Sequence, residues 1–497
     1  MALPAERNRL SVGGGRQVFD LVVLGSQLPG LVAAGLLIKR GYRVLVLDPD
    51  STARGYESGG FQLPLAPFAL PPLRALPLLE AALSELGLLQ VVQRAAEPFT
   101  PDLQLLLPRH RLDLPSQPTA RSAELRREFP EVADAQERDL RFAATQREKT
   151  DGFFANEENL PPDGFFQRWG LGRRIKRQPA LSDFPALSGQ DPVSVSLRRW
   201  APFLHHGAAP GASLTVSRVL GQYLEGTLRY PGGREGLCEL LLQRVEELGA
   251  VVLSAPPGKP VLESLTFSGS RLSGLQLARG EAVTAACGLV AMDASALARW
   301  VPEHRRQSRL LAQLRDARPR ELLFTLNLVL PPSALPVGLG PLALLEPREP
   351  HTGAVLLQTL PTRAAADRPA PADLRTVTAS TFVPGDALAR GSAFLEQCRD
   401  ALLASLADVL PFAAEQAQLR SVPLLELGHP AAVGHAALDG TSLLGVSGLP
   451  PRSAASNLLF CNRQLLPGLG LEGELIAAFR AVRLVQRTVK KRDPLKG

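Results

Sequence analysis

The chain has 497 residues, 45% of them apolar, which supports a large core and is too long for one simple domain. Its formal net charge of +7 favours anionic surfaces, but aromatics make up only 5% and the one basic run is short and terminal, which argues against nucleic-acid binding. Cys238, Cys287, Cys398 and Cys461 lie far apart without a CxxC pair, and the histidines lack ligand spacing, so the residues indicate no metal and a reducing, cytoplasmic compartment.

In chain order, the first sixteen residues carry Glu6, Arg7 and Arg9 and no apolar signal core. Residues 19–24 form a short apolar run, as a buried parallel strand requires. A turn follows at Gly25-Ser26-Gln27-Leu28-Pro29-Gly30, then a helix over 31–40 and a second strand over 42–47 that ends in Asp48. This is a β-α-β unit in about thirty residues. Residues 21–38 are uncharged, but the turn cuts them in half where a membrane span would be continuous.

Further on, the pattern predicts a helix over 78–86 and exposed helices over 121–149, where Arg and Glu are dense. Phe61, Leu63, Leu65, Phe68 and Leu70 alternate with Pro as core or as a channel wall. Residues 151–214 hold Phe153, Phe154, Phe165, Phe166, Trp169 and Trp200, either as core or as the lid of an apolar site. Tyr230-Pro231-Gly232-Gly233 leads into a helix over 235–248, followed by strands near 251–253, 271–277 and 288–292. A strand is predicted over 322–330, another over 458–461, and a last helix over 473–489.

The first unit has a physical purpose. A glycine turn brings backbone close to a pyrophosphate, the helix N-terminus supplies N–H donors, and an acid after the second strand takes a ribose hydroxyl. Gly25 and Gly30 keep the outer positions of G-x-G-x-x-G, Gln27 replaces the middle glycine, and Asp48 lies about twenty residues on.

The segment Tyr230-Pro231-Gly232-Gly233-Arg234-Glu235-Gly236-Leu237 resembles the middle of the phytoene desaturase and amine oxidase flavoprotein superfamily. So does the end, Asn457-Leu458-Leu459-Phe460-Cys461-Asn462-Arg463-Gln464-Leu465-Leu466-Pro467-Gly468-Leu469-Gly470-Leu471-Glu472-Gly473, whose Pro-Gly turn is most similar to carotenoid (phytoene) desaturases. The resemblance implies FAD, with its flavin ring facing the last helix. The cofactor-binding residues would be Gly25, Ser26, Gln27, Pro29, Gly30, Asp48, Arg54, Gly233, Val261, Asn462, Pro467, Gly468, Leu469, Gly470 and Gly473. The chain departs from the family at Gln27, at Asn462 and Arg463 (where Gly-Asp is usual) and at Ala53-Arg54-Gly55 (where Gly-Gly-Arg is common). These departures leave open a protein that keeps the scaffold without the flavin.

The expected fold is α/β, a discontinuous Rossmann-like FAD-binding domain (17–115, 215–310, 435–497) with a mixed α+β substrate domain (116–214, 311–434). The family's amine oxidases commonly hold a lysine near flavin N5, and none occurs between Lys259 and Lys490. The resemblance therefore implies desaturation, saturation or isomerisation of an apolar isoprenoid or lipid-like substrate, with no catalytic acid or base assigned. Glu472 reads as a helix-start carboxylate. Arg483, Arg487, Lys490, Lys491 and Arg492 either stabilise a helix C-terminus and keep the protein soluble or attach it peripherally to an anionic membrane surface.

Overall fold

The computed structural model describes residues 17–49, 55–182, 189–208, 212–255, 259–304, 307–346, 353–365, 373–428, 433, 436–438 and 443–490. Arg54, His429, His435, Lys491 and Arg492 lie outside them.

Strand β1 (Gln17–Leu24), helix α1 (Leu28–Lys39) and strand β2 (Val44–Asp48) form the expected unit. Helix α2 is Gly233–Glu247. Strands β3 (Val251–Ser254), β4 (Leu262–Ser268), β5 (Arg271–Leu277) and β6 (Ala282–Val290) follow it. The chain ends with β7 (Leu458–Phe460) and α3 (Gly470–Thr488).

These strands make one sheet in the order β4-β5-β6-β1-β2-β3, with β7 added on β6. Strands β3, β2, β1, β6 and β7 run parallel, while β5 pairs antiparallel with both β6 and the edge strand β4. Both sheet faces are covered, so the strand interiors are apolar throughout. Helix α1 is apolar all round because it lies between the sheet and α2 and α3; Leu28 to Leu37 are all buried. Register aligns the carboxyl ends: Leu24 pairs with Leu47 and Val290, and Val290 with Phe460. Ligands of open α/β sheets bind outside such an edge.

A second sheet of eight strands covers the other domain. Its centre is Glu321–Leu330 against Arg375–Pro384, flanked by Val355–Pro361 and Leu342–Leu345. Leu103–Leu106 and Arg111–Leu114 extend this sheet rather than the first, because Leu103–Leu106 pairs with Leu342–Leu345. The first segment of the nucleotide domain therefore ends before residue 103, not at 115.

Two helical expectations change. The helix Ala133–Asn156 is not simply exposed. Most of its charges face solvent, while Leu140, Ala143 and Phe154 are buried, as is Arg147, which pairs with Glu225; the helix packs on Ser213–Tyr223. A side chain at Gly221 would put its Cβ 2.9 Å from the Ala143 carbonyl oxygen, so glycine permits this close approach. The aromatics of 151–214 divide: Phe153, Phe154 and Trp200 are core, whereas Phe165, Phe166 and Trp169 stand exposed on the helix Phe165–Lys176.

Candidate functional site

The carboxyl edge brings together the residues that follow three strands. Gly25 follows β1 with φ +102, and its N–H donates to the Leu47 carbonyl at 2.7 Å. A Cβ there would sit 2.4 Å from the Ala291 carbonyl oxygen, and one at Gly30 would sit 2.1 Å from the Ala291 Cβ. These glycines thus have the two roles the fingerprint requires, a tight turn and close helix–strand packing. Asp48 is buried at the end of β2.

Gln27 occupies the N-cap of α1. Its Nε2 donates to Asp293 Oδ1 at 3.1 Å, while its Oε1 and the Ser26 Oγ are buried without a hydrogen-bond partner. Pro29 brings no N–H to the first turn, and the Gly30 N–H donates to the Gln27 carbonyl.

Asp293, just beyond β6, holds a second partner. Arg463 grips it in a fork, Nε to Oδ1 at 3.0 Å and Nη2 to Oδ2 at 2.6 Å. Burial pushes the Asp293 carboxyl up, but Arg463 and Gln27 outweigh it, and the net shift is downward, so Asp293 stays ionised. Asn462 donates to the Met292 carbonyl at 2.7 Å, and Gln464 accepts from the Ala294 N–H at 2.7 Å. The side chains after β7 therefore lock onto the segment after β6.

The start of α3 is packed as closely. Pro467–Leu469 forms a 3-10 turn, and the His206 N–H donates to the Pro467 carbonyl at 2.7 Å. A Cβ at Gly468 would lie 2.3 Å from the Gly445 carbonyl oxygen, at Gly470 2.2 Å from that of Leu204, and at Gly473 2.3 Å from that of Leu466. Two buried carboxylates follow. Glu472 takes a fork from Arg218 at 2.7 and 2.6 Å and a bond from Gln222 at 3.0 Å. Glu474 pairs with His206 Nε2 at 2.9 Å and Arg234 Nη2 at 2.5 Å. Burial would raise Glu474, but Arg234 and His206 bring it down to about 2. Glu472 is thus an ion-paired structural carboxylate, as well as a first-turn acid that the helix dipole favours.

Gly233 begins α2 with φ +64, and its neighbour Arg234 ties α2 to α3 through Glu474. Val261 precedes β4, the edge strand separated from β1 by β5 and β6; its carbonyl accepts the Ala278 N–H at 3.1 Å. Between Phe61–Leu63, the start of α2 and the second sheet lies a cavity of about 310 Å³, lined mainly by Leu63, Pro64, Tyr230, Pro231, Leu360 and Pro361. Sequence reasoning missed Asp293, Arg218, His206 and Glu474. Asp293 had a signal, an acid directly after a strand end in register with Gly25; the other three had none.

The edge residues fit the adenosine diphosphate end of a dinucleotide: a glycine turn, unpartnered polar atoms at Ser26 and Gln27, and Asp48. At the other end, the glycines of the α3 turn pack against the backbone at Leu204 and Gly445, and the Asp293–Arg463 pair stands beside Gln27. No family model and no curated protein sequence matches the chain. Solved structures do. An oxidoreductase from Methanosarcina mazei is 15% identical with TM-score 0.54, covering 94% of this chain and 99% of its own. A putrescine oxidase variant redesigned in cofactor binding is 15% identical with TM-score 0.53, covering 95% and 100%. Cyclohexylamine oxidase from Brevibacterium oxydans is 15% identical with TM-score 0.54, covering 94% and 99%. At this identity the likeness is one of architecture: the chain has a Rossmann-like α/β fold and shares the overall fold of these oxidoreductases.

Proposed function

We propose that the protein is an FAD-dependent oxidoreductase, with adenosine toward Asp48 and diphosphate over Gly25 to Gly30. The observation that carries this reading is the β1–Gly25–α1–β2–Asp48 unit, completed in the same sheet by β7 and α3 from the far end of the chain. When bound, FAD supplies hydride exchange with an apolar substrate. The cavity against Tyr230 and Pro231 supports a substrate that is apolar, of isoprenoid or lipid type. The phytoene desaturase-like resemblance supports desaturation, saturation or isomerisation, while the amine-oxidising neighbours keep amines as competitors to be assayed beside it.

The departures at Gln27, Asn462 and Arg463, whose side chains are engaged by Asp293 and the Met292 carbonyl, favour a second reading from a different class, a binding or scaffold protein that keeps the fold without tight FAD. The absorption spectrum of the purified protein separates the two. Flavin bands that survive gel filtration support the enzyme, and their absence together with no binding in an FAD titration supports the scaffold. Within the enzyme reading, Asp48→Ala weakens FAD by about 1–3 kcal/mol, the cost of an unpaired buried polar group. Unchanged affinity removes Asp48 from the site.

A further inference from the structure

The helix Phe165–Lys176 is anchored by one side only. Leu171 is fully buried and Ile175 packs on the same core. The opposite side carries Phe165 at 75%, Phe166 at 84% and Trp169 at 57% exposure. Three bulky aromatics within five residues make a contiguous apolar patch, which a water-soluble surface ordinarily avoids. They also touch: the Phe165 and Phe166 rings meet edge-on at 5.7 Å, and the Arg173 guanidinium lies 4.8 Å over Trp169.

The patch is framed by cations. Arg168, Arg173, Arg174, Lys176 and Arg177 are all exposed, and no acidic residue occurs from Gly164 to Leu181. Tertiary structure adds the basic end of α3. Arg480 donates to Gln167 at 2.7 Å and to the Glu158 carbonyl at 2.9 Å, while Arg487 lies 3.7 Å from the Glu158 carboxylate. The approach to this helix thus also carries Arg483 and Arg487, and exposed Lys490 follows. Nearby acids are already engaged, Glu157 by Arg174 and Asp163 by Arg452.

We propose that this face docks on an anionic lipid bilayer, with Phe165, Phe166 and Trp169 entering the interfacial layer and the surrounding arginines and lysines on lipid phosphates and carboxylates. Aromatic rings prefer that boundary, and basic residues beside it gain from the surface potential of anionic lipids. Charge chooses the partner: a patch framed mainly by cations, with the nearby acids Glu157, Glu158 and Asp163 each beside an arginine, matches an anionic leaflet. No described helix is long and apolar enough to cross a membrane, so the contact is with the surface. The inference names a surface that the basic C-terminus alone did not reveal, and it holds whether or not the protein carries flavin.

Co-sedimentation with phosphatidylcholine vesicles, with and without phosphatidylserine, tests it. The expected result is binding that needs phosphatidylserine and falls as salt rises. The triple variant F165S/F166S/W169S, altered only at exposed positions, is expected to keep its melting temperature and lose binding by about tenfold or more. Tryptophan emission should shift to the blue on vesicle addition, and Trp169→Phe should keep binding while losing that shift. Failure to sediment at low salt, equal binding to neutral vesicles, or a triple variant that binds like the natural protein would each overturn the proposal.

Discussion

Asp293 and Arg463 are almost wholly buried, and each satisfies the other. Removing one partner strands a charge in the interior, so Arg463→Gln is expected to destabilise the fold by about 3–5 kcal/mol, while Asp293→Leu with Arg463→Leu recovers most of that. Urea denaturation of the three proteins measures it, and a harmless single change would show that water reaches the pair. Glu235 behaves in the opposite sense. Burial raises its carboxyl to about 7 from 4.5, although Arg234 and a Leu65 N–H bond act to lower it. The folded state then holds the proton more tightly than the unfolded state, so this contribution is full below pH 4.5 and is lost as pH rises through 7. Glu235→Gln stays neutral and escapes the loss; it should match the natural protein at pH 4 and exceed it at pH 8 by up to about 3 kcal/mol. An equal difference at both pH values would remove Glu235 as the cause.

At the level of elements, the β-α-β unit was legible because its periodicity, turn residues and terminal acid agree. Its first helix starts three residues earlier than the pattern indicated, at Leu28, because proline is tolerated in a first turn. Gly30 is there for packing against Ala291 as much as for any ligand, so Gly30→Val should cost about 1–3 kcal/mol even without flavin. A thermal melt of that variant at the natural Tm would argue that α1 can move away from β6. The helix Ala133–Asn156 was misread because its charge density masks an apolar stripe. Its partner, Ser213–Tyr223, carries a buried arginine, Arg218, that no local pattern distinguishes from a surface one.

On the scale of the whole molecule, one chain passes repeatedly between the two large sheets, and the cavity lies where the start of α2 and Phe61–Leu63 meet the second sheet. The proposed flavin site draws on distant segments of that assembly. Replacing Arg463 by Asp alone would set two carboxylates together, because Asp293 already stands there. The variant that tests the departures is therefore Gln27→Gly with Arg463→Ala and Asp293→Ala, expected to bind FAD at least about tenfold more tightly than the natural chain in an equilibrium titration. If neither protein binds, the enzyme reading falls and the scaffold reading stands.

The amino-acid sequence determined the first unit, the last strand and helix, the middle Gly-Gly helix start, and hence the fold class, because each depends on short-range periodicity and on glycines whose backbone roles are local. It also located Gln27, Asn462 and Arg463 as departures. Only tertiary structure decided what those departures do. Gln27 and Asp293 are 266 positions apart and Asp293 and Arg463 are 170 apart, and they meet because three parallel strands end in register. Likewise, which arginines are buried against Glu472 and Glu474, and which ring an exposed aromatic face, depends on the packing of distant helices, and composition is the same for both.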